Sequence, residues 1–68
     1  MLKDIIKYER KQRGLTQHQL ADKLSIPRST LSNIELGLNS MSIELLIKFA
    51  DFFEVSTDYL LGRTIYKK

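Results

Sequence analysis

Cysteine and tryptophan are absent from these 68 residues, and proline and histidine occur once each. Without thiols there can be neither disulfides nor thiolate metal sites. With no cysteine to join it, His18 is expected to be an ordinary surface residue, and no metal or other cofactor is implied. No apolar run approaches the roughly 20 residues that a bilayer crossing needs. Near the N-terminus Leu2, Ile5 and Ile6 are interrupted by Lys3, Asp4 and Lys7, unlike a signal peptide. A cytoplasmic setting is the expectation. Nor does the sequence show a nucleophile–base pairing, a metal cluster or a phosphate loop, so an enzyme is not expected. A chain this short supports one small core. Residues 1–68 are therefore expected to form a single domain resting on apolar packing and helix ends, with oligomerisation as a further support.

Charge is uneven where it is present. The net charge is +3, compatible with nucleic acid but weak evidence alone. Lys3, Lys7, Arg10, Lys11 and Arg13 crowd the first thirteen residues, and Arg63, Lys67 and Lys68 lie at the other end. The segment 43–61 has one lysine against four acids, so it is not expected to face phosphate.

Glycine and proline punctuate helical patterns and no strand pattern is visible. Over 2–13, Leu2, Ile5, Ile6 and Glu9 share one helical face, and Gly14 ends that segment. Thr16 and Gln19 have the spacing of a capping box at the start of a second helix, whose buried stripe is Leu20, Ala21 and Leu24. Pro27 suits the first turn of a third helix, with Leu31 and Ile34 inward and Gly37 at its end. Ser42 is placed to cap a fourth, with Glu44 in its first turn and Leu46, Phe49, Ala50 and Phe53 as its core stripe. Ser56 opens a short fifth helix containing Asp58, Tyr59, Leu60 and Leu61, closed by Gly62. Five short helices around one core make the chain all-α.

The stretch 17–36 carries the functional signal. Two helices meet across a short turn, the small Ala21 lies at their crossing, and Ile26 fills the wedge beneath the turn. Such a pair projects its second helix outward, able to enter a major groove about 12 Å wide. At about 100° per residue, positions 28, 29, 32, 33 and 36 fall opposite Leu31 and Ile34. They hold Arg28, Ser29, Ser32, Asn33 and Leu36. Arginine can pair bidentately with guanine, asparagine with adenine and serine with either, while leucine can touch a thymine methyl. Thr30 can touch phosphate or only pack.

Three blocks carry a family resemblance. The run Gly14-Leu15-Thr16-Gln17-His18-Gln19-Leu20-Ala21 resembles the entry to the helix-turn-helix of the lambda repressor and Cro family, also called Xre or Cro/C1-type. Arg28-Ser29-Thr30-Leu31-Ser32-Asn33-Ile34-Glu35 resembles its recognition helix, and Val55-Ser56-Thr57-Asp58-Tyr59-Leu60-Leu61-Gly62 its closing helix. The likeness spans about 5–62. It implies a five-helix lambda repressor-like fold in which Gln17 contacts the DNA backbone. It also implies a partly buried salt bridge between Arg10 and Glu35. Ser25 and Glu54 stand where the family usually has glycine. Leu36, Leu38 and Asn39 stand where relatives often carry lysine or arginine, so phosphate contacts there are expected to be fewer.

The resulting expectation is a sequence-specific binder of double-stranded DNA that regulates transcription, more by blocking polymerase than by recruiting it. Arg28, Ser29, Ser32 and Asn33 would read bases; Thr16, Gln17, Thr30, Asn39 and Ser40 would hold the backbone. Leu45, Phe52, Leu61, Ile65 and Tyr66 would form a homodimer interface, as pseudo-palindromic half-sites about 34 Å apart require. Burial of Leu45 and Phe52 under the C-terminal tail is the plainer alternative. No membrane or small-molecule partner is implied. The competing function is that of an antitoxin or protein-interaction adaptor with little DNA readout.

Overall fold

The structure, a computed structural model, describes residues 2–38 and 41–68, with side chains from residue 4 onward. Five helices follow one another: α1 (Leu2–Gln12), α2 (Gln17–Leu24), α3 (Arg28–Leu36), α4 (Ile43–Phe53) and α5 (Thr57–Leu60). No strand occurs among the described residues. No helix among them is long and apolar enough to cross a membrane.

Helix starts follow side-chain chemistry. Thr16 and Gln19 form a complete capping box: Thr16 Oγ1 accepts from the Gln19 amide at 3.1 Å, and the Thr16 amide donates to Gln19 Oε1 at 2.9 Å. Ser42 and Ser56 accept from the Leu45 and Tyr59 amides at 3.1 and 3.0 Å. Each bond satisfies one of the donors that a helix N-terminus leaves open. Pro27 differs slightly from expectation. It is the N-cap of α3 with extended geometry, φ −63° and ψ 143°, and no side-chain cap. Its ring fixes φ whether it stands at the cap or one place later.

Helix ends depend more on backbone conformation. Ser25 and Glu54 adopt left-handed geometry, with φ 56° and 57°. The amide after each returns into its helix, Ile26 to the Ala21 carbonyl and Val55 to the Ala50 carbonyl, both at 3.0 Å. These bonds hold a conformation that a side chain makes costly. Leu61 lies just outside α5, as its C-cap, rather than inside it.

Ile6, Leu20, Ala21, Leu24, Leu31, Ile34, Phe49, Ala50, Phe53 and Leu60 form the buried core. The Phe49 and Phe53 rings lie 6.1 Å apart at 25° to one another. Leu46, expected in this core, is only half-buried at its edge with Leu45 and Phe52. Fully burying one such side chain contributes about 1.5–3 kcal/mol, so this shared core holds the pair α2–α3 in place. Lys48 adds a tie by donating to the Leu24 carbonyl at 3.2 Å, where a cation meets the negative end of α2.

Candidate nucleic-acid interface

The third helix divides cleanly into two faces. Leu31, Ile34 and Glu35 are buried against the rest of the molecule. Arg28 and Ser29 are exposed, and Ser32 and Asn33 are half-exposed on the opposite side. No hydrogen bond with another described group occupies any of these four side chains. Leu36 shares their arc and is 62% exposed. Thr30 is half-buried at the flank of the helix, a position that suits both packing and backbone contact. Gly37, at φ 77°, stops the helix, and the Leu38 amide returns to the Asn33 carbonyl at 2.9 Å.

The first turn of α2 supplies the adjoining surface. Thr16 is exposed at the cap and Gln17 is half-buried beside it. Gln17 Nε2 donates to Glu35 Oε1 at 3.1 Å. Behind it, Arg10 grips Glu35 with two bonds, Nε to Oε2 at 2.8 Å and Nη2 to Oε1 at 3.0 Å. A third Arg10 donor, Nη1, reaches the Leu15 carbonyl at 2.7 Å. The Arg10 and Glu35 side chains are 9% and 3% exposed, so the ion pair joins α1 to α3 away from water. Asn39 and Ser40, the other expected backbone contacts, lie outside the described residues.

A second polar cluster gathers around Glu9, and it accounts for cations that the sequence left unassigned. Glu9 is 1% exposed. Its carboxylate accepts from Arg13 Nη1 at 2.6 Å and from the Tyr59 hydroxyl at 2.7 Å, with Lys67 Nζ 3.3 Å away. Arg13 also donates to the Phe53 carbonyl at 2.7 Å and lies over the Phe53 ring. Burial pushes the Glu9 carboxyl up, but the bonds from Tyr59, Arg13 and Lys67 outweigh it and hold the group below its ordinary value. Burial and the Glu9 bond push the Tyr59 hydroxyl up to about 12. Arg10, Arg13 and Lys67 thus serve internal partners. Part of this had a signal in the sequence that the expectations above did not use: an acid on an apolar helix face needs a cation, and Arg13 lies four residues on, within reach. The contributions of Tyr59 and Lys67, like the bond from Gln17 to Glu35, had no signal in local spacing.

The residues expected at a dimer interface divide by exposure. Leu45 and Phe52 are half-buried against the chain's own core, with the Phe52 ring edge-on to Phe53 at 5.5 Å. Leu61, Ile65 and Tyr66 are 40%, 86% and 73% exposed. His18 is exposed and lies 3.6 Å from Asp22, one turn along α2. Among the described residues no group of acidic or histidine side chains is arranged to hold a metal.

Comparison with known proteins agrees with this geometry. A family model described as helix-turn-helix matches residues 6–60. The chain is 40% identical over 58 residues to the HTH-type transcriptional regulator ImmR of Bacillus subtilis, a match covering 85% of this chain and 46% of that protein. It is 36% identical over 62 residues to the cryptic phage CTXphi transcriptional repressor RstR of Vibrio cholerae, covering 91% of this chain and 55% of that one. The chain thus spans about half the length of these relatives. The crystal structure of SinR, the master regulator for biofilm formation, in complex with DNA superimposes with a TM-score of 0.83 at 37% identity. That match covers 90% of this chain and 98% of the SinR chain.

Proposed function

Because the chain belongs to the helix-turn-helix family, we propose that it binds double-stranded DNA by sequence and regulates transcription, acting as a repressor. The observation that carries this reading is the outward face of α3, where Arg28 and Ser29 are exposed and Ser32 and Asn33 half-exposed, opposite a fully packed inner stripe. Short and forked polar groups in that arrangement match the donor and acceptor pattern of the major groove. The likeness to SinR, solved with DNA, supports the same docking. Thr16, Gln17 and Thr30 flank the reading face, where a phosphate would meet the open amides of α2. Asn39 and Ser40 follow α3 in the chain and extend the proposed backbone contacts.

A single helix reads few base pairs, so two copies on an inverted repeat are proposed. Ile65 and Tyr66 are the most exposed members of the proposed contact, which also takes in Leu61 and the half-buried Leu45 and Phe52. The setting would be the cytoplasm, with no cofactor or catalytic step.

One observation favours the alternative of a protein-interaction adaptor. Leu36 and Leu38 are 62% and 71% exposed at the end of the reading helix, an apolar margin that phosphate does not reward. Selection of bound fragments from genomic DNA, followed by gel shifts across a salt series, separates the two readings. A regulator selects an inverted-repeat consensus, with affinity that falls as salt rises. Binding without sequence preference, or none at about 50 mM salt, would overturn it.

A further inference from the structure

We infer that Glu35 is a positioning residue for Gln17: the buried Arg10–Glu35 pair sets the orientation of the Gln17 amide and thereby readies it for a DNA phosphate. The inference rests on the DNA-binding reading above and adds a role to a pair that otherwise only braces α1 against α3.

A glutamine side chain presents two N–H donors on one atom and an acceptor on the other, and a phosphate accepts only from the donors. An unrestrained glutamine at the start of a helix samples several rotamers and both amide orientations. Here Gln17 Nε2 donates to Glu35 Oε1 at 3.1 Å. An ionised carboxylate has no proton to give, so it accepts the nitrogen end of the amide and disfavours the oxygen end. Arg10 holds both Glu35 carboxylate oxygens through two bonds of 2.8 and 3.0 Å, and Arg10 is itself tied to the Leu15 carbonyl.

The consequence is a directed chain of hydrogen bonds from α1 to the first residue of α2. One Gln17 hydrogen is spent on Glu35, and the second stays on the nitrogen whose orientation is now set. Arg10 also offsets the negative charge of Glu35, which would otherwise repel a phosphate approaching Gln17. The entropy of ordering this side chain is then lost on folding, not on binding, which is how preorganisation raises affinity.

The test is a cycle of four full-length proteins: the unmodified chain, Gln17→Ala, the paired replacement Arg10→Met with Glu35→Leu, and all three changes together. Replacing both members of a buried ion pair by apolar residues generally preserves folding, which circular dichroism checks. Affinity for the selected DNA should fall about two- to tenfold in the pair variant, the range expected for ordering one side chain. The same replacement should have no effect in the Gln17→Ala background. The slope of affinity against salt should stay unchanged, because a neutral amide releases no counterion.

Additive effects at the two sites would overturn this inference alone, as would a salt slope reduced by about one unit, the sign that Arg10 meets a phosphate itself. A wild-type chain that selects no DNA sequence would overturn the functional reading and this inference with it. Nuclear magnetic resonance of the unmodified chain without DNA gives a readout independent of any variant's folding. It should find the Gln17 side-chain amide rigid on the nanosecond scale, and a freely rotating amide would sink the proposal.

Discussion

Tyr59 donates its hydroxyl hydrogen to Glu9 at 2.7 Å, joining α5 to α1 across fifty residues of chain. Lys67 closes the same cluster from the tail, with its carbonyl accepting from the Ser56 amide at 2.5 Å and its ammonium 3.3 Å from Glu9. The two helices farthest apart in the chain are therefore held together by one buried carboxylate.

Tyr59→Phe removes one donor from that carboxylate and leaves Arg13 and Lys67 in place. A hydrogen bond to a charged group contributes about 1.5–3 kcal/mol. The variant should lose about 1.5 kcal/mol, the lower end of that range, because two cations remain. Thermal unfolding should show a fall in Tm of roughly 6–12 °C for a domain of this size. An unchanged Tm would mean that Glu9 does not depend on the phenol.

Stability should be flat at neutral pH and fall on both sides through this same pair. The Glu9 pKa is lower in the folded state than its ordinary value of 4.5. Its contribution is therefore present above that value and is lost as pH falls through the folded pKa. Tyr59 moves from 10.0 up to about 12, so its contribution is present below 10.0 and is lost as pH rises towards about 12. Denaturant unfolding as a function of pH checks both limbs. Glu9→Gln should flatten the acid limb, and Tyr59→Phe the alkaline one.

Removing only one member of the buried pair should be far worse than removing both. Glu35→Ala strands the Arg10 guanidinium away from water and should cost about 3–5 kcal/mol. That is a large part of the 5–15 kcal/mol typical of a folded domain. Arg10→Met with Glu35→Leu should recover most of the loss in urea unfolding. Equal damage from the single and the paired change would show that no desolvated charge is stranded.

Two helix ends carry a cost that glycine would remove. Ser25 and Glu54 stand at φ 56° and 57°, where a side chain is disfavoured by about 1 kcal/mol. Ser25→Gly and Glu54→Gly should each raise stability by up to about 1 kcal/mol, visible as a higher urea midpoint with an unchanged slope. A lower midpoint would show that these side chains contribute more than their backbone geometry costs.

At the proposed reading face, Asn33→Ala should relax preference at one base pair and cost about 1–3 kcal/mol on the best site. Competition binding against single-base variants measures this directly. A uniform loss across all variants would assign Asn33 to the backbone instead.

Local chemistry was legible before the fold. Side-chain caps at Thr16, Ser42 and Ser56, the inward stripe of Leu31 and Ile34, and the outward arc of Arg28, Ser29, Ser32 and Asn33 all depend on neighbours within one or two turns. So do the left-handed helix ends at Ser25 and Glu54, flagged by likeness to a family that places glycine there. Helical periodicity and capping are short-range, so the order of residues settles them.

What spacing could not settle is which polar groups meet after the helices pack. The partners of Glu9 at Tyr59 and Lys67, and the bond from Gln17 to Glu35, lie up to fifty-eight positions apart in the chain. The resemblance pointed to Arg10 and Glu35, but not to the glutamine attached to them. Nor could the count of basic residues distinguish cations open to an outside partner from those, such as Arg13, already committed within. Burial makes those choices: a carboxylate withdrawn from water must find donors wherever the packed chain brings them, and that geometry exists only once the core has closed.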